Sequence, residues 1–183
     1  MPPVPVFRPT ARLLVVDPAD RVLLFGGQAP AESGTGGDGA GSGVRIWFTP
    51  GGGVRAGESL EQAAVRELAE ETGYRLAADE LGPVVATCAG LWWAGPQVFF
   101  GVDSFYLVRV AELRMDGSGR EPLERPALEV HRWWTAAQLD LTADPVFPVG
   151  LAGLLRQLLA GGVPGRPARL PWRAITAQPR PPR

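Results

Sequence analysis

The chain of 183 residues has no lysine and no asparagine, a single cysteine (Cys88) and a single histidine (His131). Each shortage closes off a chemistry. Without lysine there is no Schiff base, and Gly51-Gly52-Gly53 cannot lead into the Gly-Lys-Ser/Thr of a P-loop. A nucleophilic Ser-His-Asp set would rest on His131 alone, in a segment that reads as a strand. Any phosphate must be held by arginine, backbone N–H groups or metal. One cysteine makes no internal disulfide, which suits a reducing compartment, and Cys88 reads as an inert structural thiol. No apolar run approaches the roughly 20 residues that cross a bilayer, and MPPVPVFRPT lacks the apolar stretch of a signal peptide. The expectation is a soluble cytoplasmic protein with no membrane partner. A net charge of −1 leaves no overall field, and no clear surface, for nucleic acid.

What remains is an ordinary globular composition, 45% apolar and 20% charged, on a chain long enough for one well-buried core. Residues 1–10 are Pro-rich and extended, 11–160 form the domain, and 161–183 are a Pro/Arg-rich tail. The tail is expected to be solvated rather than bound to RNA or a partner. Short β-rich runs predict strands at 12–16, 21–25, 44–48, 83–93, 98–110 (interrupted near 101–103) and 130–134. Residues 26–43, rich in Gly, Ala and Ser, predict a flexible loop, an inert insertion in preference to a lid. Residues 114–126 read as a charged loop. Thr135 caps a short helix to 139, and leucines at helical spacing predict a packed helix over 148–160.

The most informative stretch runs from Gly52 to Tyr74, GGVRAGESLEQAAVRELAEETGY. Ser59 stands at an N-cap position with Gln62 three residues on, a capping box, and residues 60–72 hold no glycine or proline. Gly73 supplies the stop. At roughly 100° per residue, Glu67, Glu70 and Glu71 share one arc, beside an apolar arc of Leu60, Ala64, Val65, Leu68 and Ala69. Two accounts of the three carboxylates stand side by side. One is a plain acidic, solvated helix face. The other is a cation site, because like charges this close repel unless a cation sits among them, and carboxylates are the hard ligands Mg²⁺ or Mn²⁺ prefers.

The spacing is Gly52, five residues, Glu58, seven residues, Arg66-Glu67-Leu68, one residue, Glu70-Glu71, one residue, Gly73-Tyr74. That pattern resembles the Nudix box of the Nudix hydrolases, with Tyr74 where the pattern usually has an aliphatic residue. Trp47-Phe48-Thr49-Pro50-Gly51-Gly52 also looks like the strand and turn that lead into such a box.

The resemblance implies an α/β fold, a Nudix-type α/β/α sandwich with a mixed β-sheet between helices. It implies metal-dependent hydrolysis of a phosphoanhydride in a nucleoside diphosphate linked to another moiety, with Mg²⁺ or Mn²⁺ as cofactor. The alternative is a nucleotide-binding sensor without turnover. By the same resemblance Glu67, Glu70 and Glu71 are metal ligands and catalytic, Gly52 (with Gly51) lends backbone carbonyls, and Glu58 with Arg66 ties helix to loop. A further glutamate from a later loop would act as base; of Glu121, Glu124 and Glu129, Glu129 ranks first. The partner implied is a small nucleotide, and the family often forms homodimers. No Ser-Gln-Pro-Trp-Pro type motif follows the box, and Ala89, Gly90, Leu91 and Trp92 stand where some subfamilies carry a proline or tyrosine. Trp47, Trp92, Trp93, Phe99, Phe100 and Tyr106 are either base-stacking or core residues.

Overall fold

The computed structural model describes residues 4–28, 45–94, 97–113, 115, 130–162 and 165–172. Its centre is the strand β1, Val6–Val16, whose LLVV run has no polar face to offer water. Such a run is stable only when both sides of the sheet are covered. Ala11, Leu13 and Val15 point into one core, together with Leu23, Tyr106 and Val108. Leu14 and Val16 point into a second core with Val22, Leu24, Trp47 and Phe105. Period-two alternation of β1 thus divides the molecule into three layers.

The remaining strands are β2 (Val22–Gln28), β3 (Arg45–Phe48), β4 (Gly51–Gly53), β5 (Val84–Ala94), β6 (Gln97–Arg109), β7 (Val130–Trp134), β8 (Val146–Phe147) and β9 (Ala168–Arg169). They run in the order β8-β3-β2-β1-β6-β5-β9, while β4 pairs with β1 and β7 with β2. β1 lies parallel to β6 along its whole length, from Val6 opposite Phe99 to Val16 opposite Arg109. Most other pairs are antiparallel, so the sheet is mixed.

Helix α1, Leu60–Thr72, covers the first core. Its capping box closes as the sequence requires, with Gln62 N donating to Ser59 Oγ (3.2 Å) and Ser59 N to Gln62 Oε1 (2.8 Å). Gly73 ends it in the left-handed conformation, φ 78°. Its buried residues are Ala63, Ala64, Glu67, Leu68, Glu71 and Thr72. The packed face is therefore rotated from the expected apolar arc toward the glutamates, and Val65 and Ala69 are only half-buried. Helices α2 (Ala136–Leu141) and α3 (Leu151–Gly161) cover the second core through Leu139, Leu151, Leu154, Leu155 and Leu158.

Several expectations are corrected. β1 begins at Val6, inside the segment 1–10 expected to be merely extended, because β6 supplies it with a partner. β2 runs on to Gln28, so residues 26–28 of the expected loop 26–43 are strand, and the rest of it lies outside the described residues. The strand expected to break near 101–103 is continuous. The tail is not wholly solvated: Ala168 and Arg169 pair in parallel with Ala86 and Thr87 of β5, and Leu170 N donates to Thr87 O (2.8 Å).

If α1 is held mainly by its apolar face, Leu68→Ala should lower stability by about 3 kcal/mol through the cavity left in the first core. Leu141→Ala, at a side chain 86% exposed, should cost under about 0.5 kcal/mol. Chemical denaturation of the two variants checks the contrast; equal losses would contradict this layer assignment.

Candidate active site

The glycines before α1 form a short strand, and at Gly51 only glycine fits. β4 pairs Gly51, Gly52 and Gly53 with Arg12, Ala11 and Thr10. Gly51 has φ 123°, and a β-carbon there would lie 2.8 Å from the Arg12 Cα. A β-carbon on Gly52 would lie 2.5 Å from Glu67 Oε1, so the carboxylate rests directly against the backbone. Sequence alone left this strand as a turn, because a run of three glycines carries no β signal.

Against this backbone α1 sets its acidic face. Glu67 and Glu71 are buried, at 7% and 5% exposure, and Glu70 lies at the rim. The Gly51 N–H donates to Glu71 Oε2 (2.7 Å). Arg66 ties the rest together. Its Nε and Nη2 donate to Glu58 Oε1 (2.8 Å) and Oε2 (3.0 Å), a bidentate pair. Nη2 also reaches Gly53 O (3.0 Å), and Nη1 donates to Glu67 Oε1 (2.7 Å) and Glu70 Oε2 (3.1 Å). One guanidinium therefore spans three carboxylates and the glycine strand, a fork geometry that lysine could not supply. Glu58 is held down to about 2 from 4.5, first by the hydrogen bond from Arg66, and Arg66 is raised above its ordinary value chiefly by Glu58.

Two further arginines that sequence reasoning missed join the cluster. Arg12 Nη1 donates to Gly51 O (2.7 Å), and Arg55 Nη1 lies 3.6 Å from Glu70 Oε1. The signal for Arg12 was its place in β1, one strand over from the box. Glu121, Glu124 and Glu129, the candidates for a base, lie outside the described residues.

The carboxylates of Glu67, Glu70 and Glu71 with the Gly51 and Gly52 carbonyls are the donor chemistry of a hard divalent cation. Glycine at position 52 keeps the approach to Glu67 open. Among the described residues no three acidic, histidine or cysteine side chains already enclose an ion position. Arg66 engages Glu67 and Glu70 from one side, and the Gly51 N–H engages Glu71.

The aromatic residues divide. Trp47 and Tyr106 are core, their polar atoms donating to Asp144 Oδ2 (2.9 Å) and Glu61 Oε1 (3.1 Å). Trp92 and Phe99 stack face to face on the sheet, 4.4 Å apart. Cys88 is buried beside Asp103, and burial, with that carboxylate, pushes its thiol up to about 12, so it is protonated and a poor nucleophile.

A family model for the NUDIX domain matches residues 6–154. A curated relative from Bacillus subtilis (strain 168), described as "Putative 8-oxo-dGTP diphosphatase", is 62% identical over 34 residues, 19% of this chain and 23% of the relative. The chain thus matches less than a quarter of that relative's length. Among solved structures, the E. coli ORF135 protein shares 20% identity at a TM-score of 0.51, covering 85% of this chain and 93% of its own. The MutT protein from Methanosarcina mazei Go1 shares 16% at 0.51, covering 84% and 93%. A C. elegans Ap4A hydrolase binary complex shares 17% at 0.50, covering 84% and 96%. At these identities the likeness is one of fold.

Two predictions follow from Arg66. Arg66→Ala leaves Glu58 and Glu67 without their cation and should cost about 3 kcal/mol of stability as well as activity. An unchanged melting temperature would contradict its structural role. Because the Glu58 value is depressed on folding, its stabilisation is full above 4.5 and is lost as pH falls through about 2. The stability gap between wild type and Glu58→Gln should therefore shrink on titration from about pH 6 to about pH 2; a constant gap would refute the linkage.

Proposed function

Since the chain belongs to the Nudix hydrolase family, with the family's domain spanning 6–154, we propose that it cleaves a phosphoanhydride in a nucleoside diphosphate linked to another group. The observation that carries this is the meeting of α1 and β4: two buried carboxylates and one at the rim, set against a side-chain-free backbone. Nudix hydrolases use divalent metal ions, and Mg²⁺ or Mn²⁺ is the cofactor proposed here. Glu67, Glu70 and Glu71 would hold it, with carbonyl oxygens near Gly52. When bound, it supplies neutralisation of the non-bridging phosphate oxygens and a more acidic water.

The protein's own share is positioning. Glu71 is fixed by the Gly51 N–H, so its second oxygen has a set direction. Arg66 holds Glu67 and Glu70 toward the same strand while remaining anchored to Glu58. Because Arg66 is mostly buried, its charge offsets the repulsion between Glu67 and Glu70 on one helix face. With no lysine in the chain, contacts to substrate phosphates fall to arginine and backbone N–H groups. Glu129 remains the proposed general base and Glu124 the second candidate. A homodimer and a cytoplasmic location belong to the same proposal.

The test is a phosphate-release screen over nucleoside triphosphates, sugar nucleotides, ADP-ribose and dinucleoside polyphosphates with Mg²⁺ and Mn²⁺. Glu70→Gln and Glu71→Gln should each lower kcat at least about a hundredfold with the fold retained, since an amide is a poor ligand for a hard cation. Full turnover in excess chelator would sink the proposal.

A further inference from the structure

The segment 165–172 follows the residues matched by the domain model, yet it is built into the sheet. Beyond the β9 pairing, Trp172 Nε1 donates to Leu91 O (3.2 Å). The indole lies on Gly90 and Gly101, neighbours across β5 and β6. A β-carbon at Gly101 would lie 2.8 Å from the Trp172 ring and 3.3 Å from Trp92, and one at Gly90 would overlap the indole outright. Two glycines thus make a seat for one tryptophan, beside the Trp92–Phe99 stack.

This aromatic group reaches the glycine strand through one side chain. The Arg8 guanidinium lies 5.6 Å from the Trp92 ring centre and 5.8 Å from that of Phe99. At its other side, a β-carbon on Gly53 would lie 3.9 Å from Arg8 Nε and Nη2. Gly53 is next to Gly52, against whose opposite face Glu67 rests, so Arg8 and Glu67 flank the glycine strand from its two sides. Arg8 is exposed and has no carboxylate at ion-pair distance among the described residues. Trp92, Phe99 and Trp172 are half-buried, so each ring keeps part of its surface toward solvent. A cation with no carboxylate partner among the described residues, flanked by aromatic faces beside the glycine strand, matches a nucleoside phosphate: a ring to stack and an anion to pair.

We infer that Trp172, with Trp92 and Phe99, is the wall that receives the nucleobase, and that Arg8 holds the phosphate next to it. The inference rests on the nucleotide-hydrolase reading for its ligand class. Substrate selection then depends on a C-terminal segment outside the matched domain.

Binding of nucleoside monophosphates tests this without hydrolysis. Calorimetric titration of the full chain with GMP and with ribose 5-phosphate separates base from phosphate. Wild type should bind GMP about tenfold more tightly, the worth of one stacked ring. Trp172→Ala should erase that margin, and Trp172→Phe should keep most of it. Arg8→Ala should weaken both ligands alike and leave the melting temperature unchanged. An undiminished margin in Trp172→Ala, or no GMP binding by wild type, overturns the subsite. Nucleotide hydrolysis by wild type is measured in parallel. Hydrolysis without the GMP margin removes only this subsite, and the margin without hydrolysis removes only the enzymatic reading.

Discussion

Three carboxylates on one helix face, two of them buried, are an unstable arrangement unless positive charge is placed among them. That constraint shapes the structure around α1. Arg66 supplies the permanent part of the charge from within the helix, bound to Glu58 on one side and to Glu67 and Glu70 on the other. The Gly51 N–H adds a partial positive charge at Glu71. Ion pairs at the surface contribute little, but removing one partner of a buried set leaves charge that water cannot reach. The pairing of Glu58 with Arg66 is thus what lets the acidic face exist, and the glycine strand lets it approach the backbone.

The same constraint explains the position of the site in the fold. β1 is buried on both faces, so it cannot shift without disturbing both cores. β4 is paired to it residue by residue, and Arg12 fastens Gly51 O from the second side of the sheet. The carbonyls beside the glutamates therefore sit on a strand anchored to the doubly buried β1. The acidic cluster is built where a backbone edge and a helix face meet, and neither is placed by a loop.

Much of this was legible in the sequence because it is local. Ser59, Gln62 and Gly73 fix the ends of α1 through contacts within four residues, and the helix bounds match the expected ones. The glutamate spacing sets a face whatever the surroundings. What escaped was long-range. Which arc of α1 is buried depends on β1 and β4, which draw Glu67 and Glu71 inward. The first half of β1 and the pairing of β9 depend on β6 and β5, some ninety residues away from one and eighty from the other. Trp172 sits in a Pro/Arg-rich stretch whose composition reads as solvated, and only its seat on Gly90 and Gly101 shows otherwise. Arg8 and Arg12 share one side of β1, which alternation could have suggested had the strand's start been known.

The central claim is that the α1 face, already balanced by Arg66, takes one more cation through Glu67 and Glu70. Binding of Mn²⁺ followed by electron paramagnetic resonance, with no nucleotide present, measures this directly. Wild type should bind the ion, and Glu67→Gln and Glu70→Gln should each weaken binding at least about tenfold, since each removes a charged hard ligand. Equal Mn²⁺ affinity in wild type and both variants would contradict the account.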